Sequence, residues 1–331
     1  MKAMRLRRPG AIESHPLLLE DLHRPEAGAG KVLLRVSACA VCHTDLHLVE
    51  GEIASSEYPR VPGHQVVGVV EEVGPGVAEP APGRRVGVPW LAFACGECEA
   101  CRRGDENLCP RARFTGLDQD GGYAEWMVAD AAFVLPVPDG LKDIEAAPLL
   151  CAGIIGYRSL RKADLRPGEV LGLIGFGASA HLALQVARHW QCAVYVFTRS
   201  PSHRELAASL GAAWVGGLDD QPPGPLDRAV LFAPVGELVP PALERLRPGG
   251  TLVINAIHMS SIPQMPYSVL YGERTLRSVA NATRRDGREF LTLAEELGLR
   301  PTVRTYPLAA ANTALEDLKH SRIDGAGVLT T

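Results

Sequence analysis

The first 150 residues carry short runs in which apolar and polar positions alternate. This is the pattern of β-strands that turn one face towards a core. Residues 32–38, 66–73 and 83–90 show it, and glycine-containing turns at 28–30 and 74–76 separate the runs. We therefore predict a strand-rich first domain.

From about residue 140 the hydrophobic pattern changes. Apolar runs that predict buried strands lie at residues 170–174, 193–197, 228–232 and 251–255. Segments that predict helices lie at residues 143–152, 154–163, 178–190 and 202–210. Strands that alternate with helices predict a doubly wound parallel sheet. The tail from about residue 300 has the pattern strand, helix, strand, and we expect it to rejoin the first domain.

Composition narrows the class of protein. A chain of 331 residues is long enough for two domains, and 46% hydrophobic and 22% charged residues are ordinary for a globular protein. The net charge of −4 favours neither nucleic acid nor an anionic membrane as a partner. No apolar run reaches the length of about 18 residues that a membrane span requires, and the N-terminus lacks the apolar core of a signal peptide. We expect a cytoplasmic protein.

The eight cysteines cluster, which is typical of metal binding in a reducing compartment. Four of them form the run Cys95-x2-Cys98-x2-Cys101-x7-Cys109. Four thiolates in one loop form a closed tetrahedral shell, so we predict a structural zinc here. The alternative is that these cysteines are unligated or paired in disulfides. We interpret the remaining Cys39 and Cys192 as small buried apolar residues.

A second candidate metal site centres on His64, which lies in the pattern Gly63-His64-x3-Gly68-x5-Gly74. Cys42 lies upstream of it and Cys151 far downstream. Two thiolates and one imidazole are the ligand set of a catalytic zinc with an open fourth position. A lone histidine is more often an ordinary core residue, and that alternative stays open.

The segment Gly175-Phe-Gly177-Ala-Ser-Ala180 follows a predicted strand and opens a predicted helix. Gly175 would permit the tight turn, Gly177 would let the backbone approach a pyrophosphate, and Ala180 would let the helix pack on the strand. The helix N-terminus would then face the phosphates. A plain strand-to-helix turn is the alternative.

The end of the next strand bears on the choice of cofactor. An NAD site normally has an acidic residue there, about 20 residues past the glycines. In this chain Thr198 takes that place, with Arg199 beside it, Arg204 further on, and no carboxylate before Glu205. A guanidinium can bind the 2′-phosphate of NADP(H). We predict a preference for NADP(H), with NAD(H) as the alternative; the two arginines could also be solvated surface charges.

Together the motifs Cys42-His-Thr-Asp45, Gly63-His64-x3-Gly68, Cys95 to Cys109 and Gly175-x-Gly177 resemble a zinc-dependent alcohol dehydrogenase of the medium-chain dehydrogenase/reductase family. The resemblance covers the whole chain. It implies a GroES-like β-barrel catalytic domain at residues 1–152 and 286–331 and a Rossmann domain at 153–285, with the active site in the cleft between them. It also implies a homo-oligomer, a tetramer or a dimer.

The resemblance implies two zinc ions per chain, one held by Cys42, His64 and Cys151 and one by the four-cysteine run. Zinc would lower the pKa of the bound alcohol, and hydride would pass to the nicotinamide. The remaining implied roles fall on four residues: Thr44 takes the alcohol proton, His47 relays it to solvent, Asp45 orients His64, and Trp90 walls the substrate pocket. His47 could instead be a solvated loop histidine and Trp90 an ordinary core tryptophan.

Three positions depart from the family pattern. Gln65 stands where the family usually has a glutamate that approaches the metal; glutamine can still coordinate through its carbonyl, but it brings no charge. Ile155 replaces a common threonine, which puts a contact with the nicotinamide carboxamide in doubt. Arg84 replaces a common aspartate, a change that we interpret as structural.

The predicted reaction is reversible hydride transfer between an alcohol and a nicotinamide cofactor. A primary alcohol and its aldehyde are favoured, with a secondary alcohol and its ketone second. The alternative function is that of a zinc-free quinone reductase or a non-catalytic binding protein of the same fold. The presence of Cys42, His64 and Cys151 argues against that alternative.

Overall fold

Short half-buried strands build the first part of the chain, as the alternating pattern predicts. The computed structural model of the protein describes residues 1–53, 55 and 57–331. The strands of this part are β1 (Lys2–Leu6), β2 (Leu17–Asp21), β3 (Lys31–Ala40), β4 (Val66–Val73), β5 (Arg85–Val88), β6 (Leu91–Phe93), β7 (Arg113–Phe114), β8 (Trp126–Asp130) and β9 (Leu135–Pro136). The helices are α1 (His43–Glu50), α2 (Glu99–Arg102), α3 (Asp143–Ala146) and α4 (Ala152–Lys162).

Two predicted elements are shorter than their sequence patterns. The predicted strand 83–90 is reduced to β5, because Gly83 has a φ of +82° and Pro89 follows directly. The predicted helix 143–152 divides into α3 and a 3₁₀ turn at Ala147–Leu150 that contains Pro148. Proline removes a helix donor and clashes with the preceding turn, so a continuous α-helix cannot form there.

The second part of the chain confirms the predicted alternation. Its strands are β10 (Val170–Ile174), β11 (Ala193–Phe197), β12 (Trp214–Gly216), β13 (Leu226–Leu231), β14 (Leu246–Ile254) and β15 (Thr275–Ser278), and its helices are α5 (Ala178–His189), α6 (Pro201–Ser209) and α7 (Val239–Glu244). The six strands pair in parallel in the order β12-β11-β10-β13-β14-β15. This is the doubly wound Rossmann order, so the predicted fold class is confirmed.

The tail returns to the first sheet, as expected. It contains β16 (Val303–Pro307), α9 (Ala311–Lys319) and β17 (Ala326–Thr330), and a helix that was not predicted, α8 (Arg284–Glu296), precedes it. Strand β17 pairs antiparallel with β3, where Val328 lies opposite Ala40, and β16 pairs with β17. The sheet thus has the order β16-β17-β3-β4-β5-β9, with β8 also on β3.

The chain divides into two compact units, Met1–Ile154 with Asn281–Thr331, and Ile155–Ala280. The core of the first unit lies between its sheet and helices α1 and α9, and includes Leu34, Val66, Tyr123 and Leu315. The core of the second unit includes Leu231, Leu243 and Leu252, all with no exposed surface.

Candidate active site

Cys42 lies between the end of strand β3 and the start of helix α1. It is the N-cap of α1 with an extended backbone, φ −137° and ψ 156°. The Asp45 carboxylate at the third helical position accepts a hydrogen bond from the Cys42 N–H at 3.0 Å. An acceptor at this position satisfies one of the free donors at the start of a helix. The direction of the Cys42 side chain is therefore set by the helix start.

Asp45 also holds His64. Its Oδ1 accepts from the Gly63 N–H at 3.1 Å and lies 2.9 Å from His64 Nδ1. Gly63 has a φ of +99°, and a Cβ there would lie 2.9 Å from Cys39 Sγ, so glycine is required before the histidine. Asp45 and His64 are both buried. With the Nδ1 proton held by a carboxylate, the lone pair of the ring is at Nε2.

Cys151 completes the group. It follows the 3₁₀ turn Ala147–Leu150 and precedes α4. The ligand atoms of Cys42, His64 and Cys151 all lie within 4.8 Å of one another. His64 Nε2 is buried and has no hydrogen-bond partner among residues 1–53, 55 and 57–331. A buried polar nitrogen that faces two sulfurs fits a zinc ion, which accepts both ligand types.

The charges of this group also favour a cation. Burial opposes protonation of the His64 imidazole, but Asp45 and Cys42 outweigh it and raise the pKa of His64 to about 10. Without a metal the ring therefore also holds a proton at Nε2, and a bound metal ion would displace that proton. The Cys151 thiol and, against the effect of burial, the His64 imidazole hold the pKa of Cys42 well below its ordinary value. The same contact with Cys42, together with burial, raises the pKa of Cys151. The sulfurs thus share one proton, and both could be thiolates only with a positive charge between them, which a zinc ion would supply.

Trp90 lies directly against the histidine. Its ring meets the His64 ring edge-on at 4.8 Å between centroids and stacks on Phe114 at 5.0 Å. Its Nε1 donates a hydrogen bond to Asn281 Oδ1 at 2.9 Å. Sequence reasoning missed Phe114 and Asn281, because neither belongs to a local pattern.

The other predicted residues of this group lie on or next to α1. Thr44 Oγ1 is 3.7 Å from Cys42 Sγ. His47 follows one turn later, and its Nδ1 pairs with the Glu52 carboxylate. Gln65 is buried, and its oxygen accepts a hydrogen bond from the Ala152 N–H at 3.2 Å. The side-chain oxygen of Gln65, which the sequence analysis considered as a possible metal ligand, is therefore bound to the Ala152 N–H.

The four-cysteine run forms a second group. The sulfurs of Cys95, Cys98, Cys101 and Cys109 also lie within 4.8 Å of one another. Backbone N–H groups point at the sulfurs: Cys98 N lies 3.3 Å from Cys95 Sγ and Arg111 N lies 3.3 Å from Cys109 Sγ. Such donors stabilise thiolates. The Glu97 N–H above all, together with the Cys98 N–H and the Arg111 side chain and against the effect of burial, lowers the pKa of Cys95 to about 5. The group has a closed set of four ligands, and none of its cysteines forms a disulfide.

An ion pair attaches the four-cysteine loop to helix α8. The Arg284 guanidinium donates to both oxygens of Glu106, at 2.6 Å from Nη2 to Oε2 and 3.1 Å from Nε to Oε1. The Arg284 N–H donates to the same carboxylate at 2.7 Å, and the guanidinium lies 4.2 Å from the Phe133 ring. Sequence reasoning missed this pair, because its members are 178 residues apart.

In the second unit, Gly175 and Gly177 join β10 to α5. Gly175 has a φ of +87°, and a Cβ there would lie 2.9 Å from Ala233 N. A Cβ at Gly177 would meet nothing within 4 Å, so the space in front of the α5 N-terminus is open. Ala180 is fully buried against the sheet. An open glycine at a helix N-terminus fits the pyrophosphate of a dinucleotide.

The residues predicted to choose the cofactor follow β11. Thr198 is buried, and its N–H donates to Gly216 O at 2.8 Å. Arg199 is exposed, whereas Arg204 Nε donates back to Thr198 O at 2.9 Å. Ser200 caps α6 by accepting from the His203 N–H. The sequence Ser200-Pro201 is a helix-start pattern that could have identified this cap.

Comparison with known proteins identifies the class. Residues 28–139 match the model of the alcohol dehydrogenase GroES-like domain. The chain is 49% identical, over 99% of its length and 97% of the relative, to a probable alcohol dehydrogenase AdhA of Mycobacterium tuberculosis (strain CDC 1551 / Oshkosh). Its structure is similar to a cinnamyl alcohol dehydrogenase from Sorghum bicolor, with a TM-score of 0.91, 30% identity, and 99% and 97% of the two chains covered. It is also similar to a cobalt- and zinc-bound thermostable alcohol dehydrogenase from Pyrobaculum aerophilum, with a TM-score of 0.90, 27% identity, and 100% and 99% covered.

The chain therefore belongs to the alcohol dehydrogenases of the medium-chain dehydrogenase/reductase family. It is an oxidoreductase that acts on the CH–OH group of small-molecule alcohols, with zinc and a nicotinamide cofactor as the family implies. The alternative, a zinc-free reductase or a non-catalytic binding protein, is not favoured. Within the described part of the chain, no helix has the length and hydropathy needed to cross a membrane.

Proposed function

We propose that this enzyme interconverts an alcohol and its carbonyl compound at a zinc ion held by Cys42, His64 and Cys151. Two observations carry the proposal: the buried His64 Nε2 has no partner among the described residues, and a ligand nitrogen of His64 lies within 4.8 Å of the two sulfurs. When bound, zinc would act as a Lewis acid on the alcohol or carbonyl oxygen. Asp45 keeps the imidazole proton at Nδ1, so that Nε2 stays a lone-pair donor.

Thr44 and His47 are proposed to move the substrate proton. Thr44 would accept it at Oγ1 and release its own hydroxyl proton, and His47 would pass a proton on to solvent, a role suited to a histidine near neutral pH. Two observations support this proposal: Thr44 Oγ1 lies 3.7 Å from Cys42 Sγ, and both side chains lie on α1 one turn apart. Glu52 pairs with His47 Nδ1 and fixes the orientation of the imidazole.

Trp90 is proposed to form one wall of the substrate pocket. Its indole lies edge-on to His64 and is held from behind by Phe114, so it narrows the space beside the ligand group. A narrow space favours an alcohol with one small substituent on the carbinol carbon. We therefore propose a primary alcohol and its aldehyde as the preferred pair, with a secondary alcohol and its ketone second.

The second zinc ion is proposed to bind Cys95, Cys98, Cys101 and Cys109 and to have a structural role. A shell of four protein ligands leaves no position for a substrate. The proposed catalytic domain, residues 1–152 and 286–331, then contains both zinc sites. Residues 153–285 are proposed as the dinucleotide-binding domain, with the phosphates near Gly175, Gly177 and the N-terminus of α5.

We further propose that the cofactor is NADP(H) in preference to NAD(H). Thr198 leaves the end of β11 without an acid, and Arg199 is exposed beside it. Arg204 contributes less directly to binding of the 2′-phosphate, because its Nε donates a hydrogen bond to Thr198 O. The Ser200 cap fixes the start of α6, whose N-terminus also favours a phosphate.

A pair of arginine variants tests the choice of cofactor. Arg199→Ala should raise the KM for NADPH about 10-fold, the equivalent of one charge-assisted hydrogen bond, and change the KM for NADH much less. Arg166→Ala, which removes another exposed arginine of the same unit, should change neither KM. A wild-type enzyme that favours NADH, or an equal loss for both cofactors in Arg199→Ala, would contradict the proposal.

A turnover panel tests the reaction itself. The purified enzyme should oxidise primary alcohols faster than secondary ones and reduce the matching aldehydes, with one or both nicotinamide cofactors. Failure to turn over any alcohol or aldehyde while zinc is bound would contradict the assignment.

Two properties of the enzyme complete the proposal. It is proposed to be a homo-oligomer, a tetramer or a dimer, which light scattering after size-exclusion chromatography would measure. It is proposed to be cytoplasmic, because all eight cysteines are free of disulfides and seven of them lie in metal-ligand groups. 

A further inference from the structure

Gln65 has no ionisable group and is not one of the proposed ligands, yet its side chain is almost completely buried beside them. Its three contacts all involve the backbone. The oxygen Oε1 accepts from the Ala152 N–H at 3.2 Å, and the nitrogen Nε2 donates to Ala40 O and Val41 O, at 3.4 Å each. The orientation of this amide is unambiguous, because Ala152 N can only donate and the two carbonyls can only accept.

These contacts lie next to each of the three proposed ligands. Val41 directly precedes Cys42, Ala152 directly follows Cys151, and Gln65 itself directly follows His64. The ligands come from the end of β3, the start of β4 and the turn before α4. One buried carboxamide therefore connects three segments that the chain brings together from distant positions.

We propose that Gln65 is the positioning residue that fixes the distances among Cys42, His64 and Cys151. This inference depends on the proposed function, because it concerns the geometry of the proposed zinc site. It requires a side chain that accepts at one end and donates at the other. Glutamine does both, a glutamate carboxylate can only accept, and methionine can do neither of these well.

The positioning role of Gln65 follows from the hydrogen bonds that its side-chain atoms make. The Gln65 oxygen lies on the Ala152 N–H, so it acts on the backbone next to Cys151 and not on the metal. A methionine in the same place would leave the Ala152 N–H and the two carbonyl oxygens without these partners. Buried polar groups that lose their partners are costly, so the Cys42 and Cys151 segments would move apart.

The test compares Gln65→Glu and Gln65→Met with the wild-type enzyme, each as the full chain with its metal. Gln185→Glu is the matched control, since the Gln185 amide also donates to a backbone carbonyl, His181 O at 3.1 Å, in the other unit. Zinc affinity is measured by competition with a chelator, and ligand geometry by the visible absorption of the cobalt-substituted protein.

We expect two metal ions per chain in the wild type. In Gln65→Met one of the two should bind about 10–100-fold more weakly, the usual cost of removing a group that supports a metal ligand. Gln65→Glu restores the residue that the family usually has here, so it should keep both ions. The cobalt spectrum of the site beside Gln65 should change in both variants, while the four-cysteine site and the Gln185→Glu control should match the wild type. If Gln65→Met does not fold, the cobalt spectrum of Gln65→Glu decides the matter, because a carboxylate can keep the Ala152 contact but loses both carbonyl contacts.

Two other outcomes are distinguishable. If the wild type binds two metal ions and Gln65→Met binds them with unchanged affinity and cobalt spectrum, the positioning role is wrong and the zinc site stands. If the wild type itself binds only the metal of the four-cysteine site, the proposed zinc site is wrong and the inference is overturned with it.

Discussion

Asp45 is the residue on which the geometry of Cys42 and His64 depends most directly. Its carboxylate binds the Cys42 N–H through one oxygen, and the Gly63 N–H and His64 Nδ1 through the other. The substitution Asp45→Asn keeps the size and shape of the side chain but replaces one acceptor oxygen with a donor NH2 group. It therefore tests hydrogen bonding without creating a cavity.

Neither orientation of the new amide satisfies all three partners. With its oxygen towards Gly63 and His64, its NH2 group faces the Cys42 N–H. In the opposite orientation the NH2 group faces the Gly63 N–H, another donor. It can then donate to His64 Nδ1 only if the ring proton moves to Nε2, where the metal would bind. A buried donor without an acceptor costs about 1–3 kcal/mol, and the loss of the negative charge weakens the remaining bonds.

We therefore expect a loss of about 2–3 kcal/mol in the free energy of unfolding. For a domain of this size that lowers Tm by roughly 4–12 °C. Zinc affinity at the proposed catalytic site should fall about 10–100-fold, since Asp45 orients a ligand. Thermal unfolding at fixed zinc concentration and chelator competition measure the two effects.

Asp286→Asn is the control. Asp286 stands at the same helical position in α8 as Asp45 does in α1, is buried, and accepts from the N-cap Thr283 N–H at 2.8 Å. This variant should also lower Tm but should leave zinc affinity unchanged. If Asp45→Asn has wild-type zinc affinity, or loses no more than Asp286→Asn does, the proposed role of Asp45 is refuted.

Two further variants test the other proposed roles. Cys98→Ser should lower Tm and remove one of two zinc ions, because the four-cysteine loop is ordered by its metal; loss of turnover at unchanged Tm would show that this site is not structural. His47→Ala should slow turnover most at low pH, where hydroxide is scarcest as a substitute base, and pH–rate profiles measure this effect. Equal slowing at every pH, or no slowing, would exclude His47 from the proton relay.

The local hydrophobic pattern of the sequence was sufficient to predict strands of both sheets. Strands β4, β10 and β11 have the predicted bounds, because each is an apolar run bounded by turn residues or by a change of periodicity. Helices α1 and α8 were not predicted. Helix α1 contains two histidines and has only a weak apolar face, so its start is set by the Asp45 contact with the Cys42 N–H, which sequence periodicity does not show.

The candidate site likewise has features that the sequence could predict and features that it could not. The ligand types and their spacing could be read along the chain, because zinc restricts both. The groups that hold the site in place could not, because their partners are distant in sequence: Trp90 and Asn281 are 191 residues apart, and Gln65 and Ala152 are 87 apart. For Gln65 the sequence showed only a departure from the family pattern, and its role depends on contacts that exist only in the folded chain.

The measurement that tests the central claim most directly is zinc content together with turnover for the wild type and His64→Ala. The claim is that Cys42, His64 and Cys151 hold the zinc at which the alcohol reacts. We expect two zinc ions per chain and measurable turnover in the wild type. In His64→Ala we expect one zinc ion, retained in the four-cysteine site, no detectable turnover and an unchanged circular dichroism spectrum. A folded His64→Ala enzyme with two zinc ions and near-normal turnover would contradict the claim.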